Sequence, residues 1–249
     1  MSDIRLDKLL VDRKLVSSRV RAEQIIEEFG VLVNGKLITK NGKKFPEDAE
    51  IQMISEEIPW VSKGALKLMA ALDHWEIDCA NKTFIDLGAS TGGFTEVLLS
   101  RNAQKVFCVD VGTNQLHTKI KEDPRIVNLE KTHVRELTTK LIPEPADGLV
   151  VDVSFISLEK VVPFVHSFLK PNSDVILLIK PQFEVGKANL NKHGIVTESK
   201  LYTEVIERIK NMCLLNNLEF LSQIESPILG GDGNREFLAY FRKKIDKNL

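Results

Sequence analysis

Cysteine is scarce, with three among 249 residues, and Cys79, Cys108 and Cys213 stand far apart without Cys-x-x-Cys or Cys/His ligand spacing. That excludes a disulfide framework and offers no zinc or other metal motif, so reduced thiols in a cytoplasmic protein are the simple expectation. An excess of charge is lacking too: 34 Lys and Arg against 35 Asp and Glu leave a formal net charge of −1. Without a basic surplus there is no general attraction to phosphate, and nucleic-acid binding has to come from local patches. No apolar run approaches the ~20 residues that span a bilayer, and the start, with Asp3, Arg5, Asp7 and Lys8, has no apolar signal core. A membrane partner is therefore not expected. The length suits one α/β domain with a small appendage.

The appendage comes first. Leu6, Leu9 and Leu10 recur at helical spacing, and Ala22, Ile25, Ile26 and Phe29 share one face of a second helix that Ser17 or Ser18 can cap. Gly30 ends that helix, and VLVNGKLI (31–38) reads as a hairpin turning tightly at Asn34 and Gly35. A turn at Asn41 and Gly42 leads to a strand over 50–53. So small a core suits a binding module better than an enzyme. Arg5, Lys14, Arg19 and Arg21 cluster around the two helices, although acidic neighbours cancel the sum and leave a plain solvated surface as the alternative. RLDKLLVDRKLVSSRVRAEQII (5–26) with VLVNGK (31–36) resembles the S4 domain, a small α+β RNA-binding fold, and the resemblance implies that Arg5, Arg19 and Arg21 face RNA phosphates. In SEEIPWVS (55–62), Pro59 stops any helix from running on. The expected division is an S4-like domain over 1–57, a linker over 58–62 and a second domain over 63–249.

From there strand and helix alternate, which predicts a mostly parallel sheet covered by helices on both faces. Strands are expected over 83–88, 105–110, 125–130, 148–154, 175–180, 219–224 and 236–241. Helices are expected from Lys63 to Trp75, Gly93 to Arg101, Asn114 to Lys121, Leu158 to Leu169 and Lys200 to Asn216. Seven strands, the last two close together, fit the Rossmann-like methyltransferase sheet better than the six-stranded nicotinamide variant. DLGASTGGFTEVLL (86–99) runs a buried strand through Gly88, Gly92 and Gly93 into an amphipathic helix, so Asp86, Gly88, Ala89, Ser90, Thr91, Gly92, Gly93 and Phe94 are candidate cofactor residues. A tight turn with no ligand is the alternative. Asp110 ends the next strand about twenty residues on, where a carboxylate accepts both ribose hydroxyls of an adenosine. NAD and S-adenosylmethionine (SAM) both satisfy that spacing, and the missing pyrophosphate-type glycine pattern favours SAM. Val111 follows, and the loop from Glu130 to His133 is placed beside the adenine.

Four charged residues from separate segments complete the candidate site. Lys67 lies on a helix whose Leu68, Leu72 and Trp75 point inward, with Lys63 one turn earlier. Asp152 ends the apolar strand LVVDVSF (149–155) at the carboxyl edge of the sheet, where open α/β folds bind ligands. Lys180 puts a charge at the end of VILLIK (175–180), a strand otherwise fit for burial, and Glu236 opens the last strand after GGDGNR (230–235). The expectation is an alternating-charge cluster in which a neighbouring cation drives the proton off one lysine, leaving a general base.

SKGALKL, DLGASTGGFT, VDVG (109–112), VDVSFISL (151–158), IKPQFEVGK (179–187), HGIV (193–196) and SPILGGDGNREFL (226–238) together resemble the TlyA family, S4-containing relatives of the FtsJ-type ribose methyltransferases that are sometimes labelled hemolysins. The resemblance implies SAM as cofactor, methylation of a cytidine 2′-hydroxyl in ribosomal RNA of one or both subunits, and a Lys-Asp-Lys-Glu tetrad of Lys67, Asp152, Lys180 and Glu236 with Lys180 as base. Lys63 stands where the family usually has Arg, at an RNA-facing position, and Ala65 where it has Gly; Thr113, Asn114, His117 and Thr118 also depart from its pattern. Three alternatives stand beside this reading: a pore-forming hemolysin, a ribosome assembly factor that binds RNA without catalysis, and a small-molecule methyltransferase.

Overall fold

The computed structural model describes residues 3–16, 19–28, 30–53, 60–230 and 233–245, without the side chains of Val20, Arg21, Gln24 and Glu28. Ser17, Ser18 and Phe29, the linker residues Ile58 and Pro59, and the Arg21 side chain thus lie outside the described residues. The chain divides into two compact units, one ending at Lys63 and one starting at Gly64.

In the first unit, β1 (Ile4–Arg5) leads directly into α1 (Leu6–Asp12), which packs on α2 (Arg19–Glu28). β2 (Val31–Val33) and β3 (Lys36–Ile38) form the hairpin. Asn34 and Gly35 both take positive φ, 50° and 73°, the mirror-image turn that matches strand twist. β4 (Lys44–Phe45) pairs with β1, a pairing beyond the sequence reading, and β5 (Ile51–Met53) pairs with β2. The apolar faces meet in one small core, in which Leu6, Leu10, Ala22, Ile25, Ile26, Val31 and Val33 are buried.

In the second unit α3 (Gly64–His74) precedes β6 (Thr83–Leu87), α4 (Gly93–Ser100), β7 (Lys105–Val109), α5 (Thr118–Lys121), β8 (Ile126–Leu129), β9 (Ala146–Val151), α6 (Val162–Val165), β10 (Leu169–Ile179), α7 (Lys200–Leu215), β11 (Leu218–Glu225) and β12 (Phe237–Lys243). One seven-stranded sheet results, in the order β11-β12-β10-β9-β6-β7-β8. β8, β7, β6, β9 and β10 pair in parallel, and β12 inserts antiparallel between β10 and β11. Ile85, Leu149, Val151, Leu177 and Ile179 are fully buried in its centre. The strand order reverses between β6 and β9, and that switch point opens the crevice in which such sheets bind ligands.

Two expected helices are corrected. Residues 114–117 do not extend α5: Asn114 takes φ 52°, and Glu130 accepts the backbone N–H groups of Asn114 and Gln115, so those donors leave the helical pattern. The helix expected from Leu158 to Leu169 is broken into a 3-10 turn, the four residues of α6 and a second 3-10 turn. Pro163, which lacks an N–H, sits at the start of α6, and β10 already begins at Leu169.

Candidate active site

The carboxyl ends of β6, β7 and β9 open onto a cleft of about 660 Å³, lined among others by Gly88, Ser90, Asp110, Val111, His133 and Asp152. Gly88 is required twice over: its φ is 82°, and a Cβ there would stand 2.5 Å from the Asp152 carbonyl oxygen. Asp110 ties the two loops of the floor together, its Oδ2 accepting from Ser90 N at 2.9 Å and its Oδ1 from Gly112 N at 2.7 Å. Each oxygen keeps a lone pair for a ligand hydroxyl. His133 Nδ1 accepts from Arg135 N, which leaves Nε2 as the N–H of the neutral ring.

The remaining glycine-loop candidates support the cleft instead of lining it. Ala89, Gly93 and Phe94 are buried, Gly92 precedes α4 as its N-cap in the left-handed region, and the Thr91 carbonyl accepts from His117 N. Asp86 is fully buried on β6; its Oδ2 accepts from Thr95 Oγ1 at 2.6 Å and its Oδ1 has no hydrogen-bond partner. Burial pushes its carboxyl up to about 7, against the Thr95 hydrogen bond and with help from the charges of Asp152 and Asp110.

The four charged candidates form two pairs. Lys67 Nζ lies 2.6 Å from Glu236 Oε2, with side chains only 7% and 3% exposed, and Gln182 Nε2 donates to Glu236 Oε1 at 3.2 Å. Lys180 Nζ lies 2.6 Å from Asp152 Oδ1, a charge contact off the hydrogen-bond direction, since that oxygen has no aligned donor. The aligned bond from Lys180 goes to Ser154 Oγ at 2.8 Å. Strand register explains the meeting: Lys180 and Glu236 each lie one residue beyond the Ile179–Phe237 pair, and Asp152 one beyond the Leu177–Val151 pair. The expected cause of a neutral lysine is corrected. Each lysine has a carboxylate as its ion-pair partner, so repulsion from a neighbouring cation is not what these pairs provide.

Among the predicted RNA residues, Arg5 and Arg19 both pair with Asp7, and Lys63 closes the first unit. Sequence reasoning missed Phe155 and Gln182. Phe155 has φ 63°, is 90% exposed at the cleft wall, and stacks at a tilt on Phe183 at 4.9 Å. A bulky side chain held in that region is an outlier that points to function. Its only sequence signal was an aromatic three residues after the strand-ending Asp152. Among the described residues no three His, Cys, Asp or Glu gather as a metal site, and no helix is long and apolar enough to cross a membrane.

A parallel sheet whose last strand turns antiparallel between two neighbours, with its cleft at the switch point, is the arrangement of SAM-dependent methyltransferases, and this chain is of that class. Residues 60–243 match the FtsJ-like methyltransferase family and residues 4–51 the S4 domain. The chain belongs to the FtsJ-like methyltransferases in their S4-bearing, TlyA form. It is 39% identical to YqxC of Bacillus subtilis, named as a candidate rRNA methyltransferase, over 95% of this chain and 84% of that one. It is 36% identical to TlyA of Mycobacterium tuberculosis, named a 16S/23S rRNA (cytidine-2′-O)-methyltransferase, over 98% and 92%. A Streptococcus thermophilus structure described as a candidate hemolysin matches with a TM-score of 0.76 at 35% identity, covering 98% of this chain and 90% of that one.

Proposed function

We propose that this protein methylates the ribose 2′-hydroxyl of a cytidine in ribosomal RNA, in the large subunit and in the broader case in both, using SAM. The observation that carries the reading is the Lys180–Asp152 pair at the end of β9 and β10, beside a cleft that Asp110 equips for ribose hydroxyls. The cofactor fits what is there: a cleft of ordinary ligand size, a carboxylate with spare lone pairs, and a floor at Gly88 that a Cβ would fill. When bound, SAM supplies an electrophilic methyl group on a positively charged sulfur.

The chain's own residues do the rest. Asp110 would accept the ribose hydroxyls of SAM, and Val111 and His133, which line the same cleft, would hold its base, while residues 86–94 shape the turn below. Ser154 and Asp152 fix Lys180 Nζ at the end of β10, in position to take the proton of the ribose hydroxyl. Lys67 and Glu236, tied to each other, hold the neighbouring strand end. Phe155 offers its exposed face to a nucleobase lifted out of its stack. The S4-like domain (1–57) binds the RNA through Arg5, Arg19 and Arg21, with Lys63 at the far side of the linker (58–62), in a cytoplasmic setting.

The test is incubation with SAM and unmodified ribosomal subunits, followed by mapping of 2′-O-methyl groups by mass spectrometry. Methylated cytidine is expected; its absence from both subunits refutes the reading. Leakage of dye from liposomes would instead favour the pore-forming alternative, and subunit binding without turnover the assembly factor.

A further inference from the structure

Asp7 is a carboxylate with 0% of its side chain exposed, in a unit whose core is otherwise apolar. Two arginines hold it. Arg5 donates from Nε to Oδ1 at 3.0 Å and from Nη2 to Oδ2 at 3.2 Å, and Arg19 donates from Nε and Nη2 to Oδ2 at 3.1 and 2.6 Å. Burial alone would push the Asp7 carboxyl up; the hydrogen bonds from Arg5 and Arg19 overturn this and hold it well below the usual carboxylate range. Arg5 ends β1 and Arg19 opens α2, so only the folded unit brings them together.

The arginines are not consumed by this contact. Their side chains remain 42% and 55% exposed, and each spends its Nε and Nη2 on Asp7, leaving Nη1 without a partner among the described residues. Glu23, 3.6 Å from Arg5 Nη2, is itself 39% exposed, where water and salt screen it. Two guanidinium groups anchored on one buried carboxylate are ordered before any ligand arrives, which removes the ordering cost that free arginines meet on binding.

We infer that Asp7 is a positioning residue for RNA binding: it locks Arg5 and Arg19 into one paired cationic fork whose free N–H groups take the oxygens of an RNA phosphodiester. The inference rests on the reading that the S4 unit faces RNA and adds how a chain of net charge −1 presents an ordered basic site.

Charge and geometry make opposite predictions. Asp7→Asn removes a negative charge, so a charge-only surface binds RNA more tightly; a fork that needs Asp7 binds roughly tenfold more weakly. Arg19→Lys keeps the charge but loses the planar fork, so charge alone predicts no change, whereas the fork predicts a similar loss with the salt dependence preserved. The experiment measures affinity of the full chain for an in vitro transcript of 23S ribosomal RNA across a salt series. SAM binding checks the second unit, and hydrogen exchange of α1 and α2 checks the first. Weaker binding by both variants supports the fork. Asp7→Asn binding as tightly as wild type or more so overturns it; should that variant lose the S4 fold, unchanged affinity in Arg19→Lys overturns it instead. Arg5→Gln and Arg19→Gln separate the two layers: if neither alters affinity, the arginines do not face RNA and the underlying reading fails.

Discussion

Replacing Glu236 by Gln takes the countercharge from a buried ammonium while leaving an oxygen for Gln182 Nε2. Unit charges about 4 Å apart attract by about 4 kcal/mol at an effective dielectric of about 20, and stripping one partner from a buried pair typically destabilises by about 3–5 kcal/mol. With both side chains under a tenth exposed at 2.6 Å, Glu236→Gln should fall in that range, as should Lys67→Met. In a domain of roughly 150–250 residues each kcal/mol shifts Tm by about 2–4 °C, so a drop of about 6–20 °C is expected. The double variant Lys67→Met/Glu236→Gln leaves no unpaired charge and should recover most of the loss, whereas methyl transfer should fail in all three. Thermal and urea unfolding of the full chain, combined as a double-mutant cycle, measures the coupling. If the double variant is destabilised by the sum of the singles, the pair is not coupled and the argument from burial is wrong.

Lys180→Met should lower kcat by about 10²–10⁴ while SAM affinity, read by calorimetry, stays near wild type; wild-type turnover would remove Lys180 from the base role. Phe155→Ala should weaken binding of single-stranded target RNA by about 1–3 kcal/mol without altering thermal stability, since the ring is exposed, and unchanged RNA affinity would deny it a stacking role. Asp86 carries a pH signature. Its folded carboxyl is raised by burial to about 7 from 3.8, so its contribution to stability is complete below about pH 4 and is lost as pH rises through 7, on the order of 4 kcal/mol. Asp86→Asn should flatten that part of the stability profile in urea titrations between pH 5 and 8, and an unchanged slope would show that Asp86 does not titrate there.

Much of the site was legible because chemistry at strand ends leaves a local mark. Asp110, Asp152 and Lys180 each follow an apolar run, and Gly88 sits where a strand must turn at once. Asn34 and Gly35 fixed the hairpin for the same reason, since few residues accept positive φ at both positions. The expected helices failed where a partner distant in sequence competed for backbone donors, as Glu130 does for Asn114 and Gln115, or where Pro163 interrupted an otherwise apolar stretch.

The sequence by itself determined the two-part organisation, the order of strands along the chain and the identity of the charged residues, because periodicity and turn chemistry are properties of neighbouring residues. Only the tertiary structure decided who pairs with whom. Lys67 and Glu236 are 169 positions apart, and Arg5 and Arg19 meet on a carboxylate that reads in the sequence as one more surface charge. Attraction between charges depends on distance and on the water excluded around them, and both quantities exist only once the strands have taken their register.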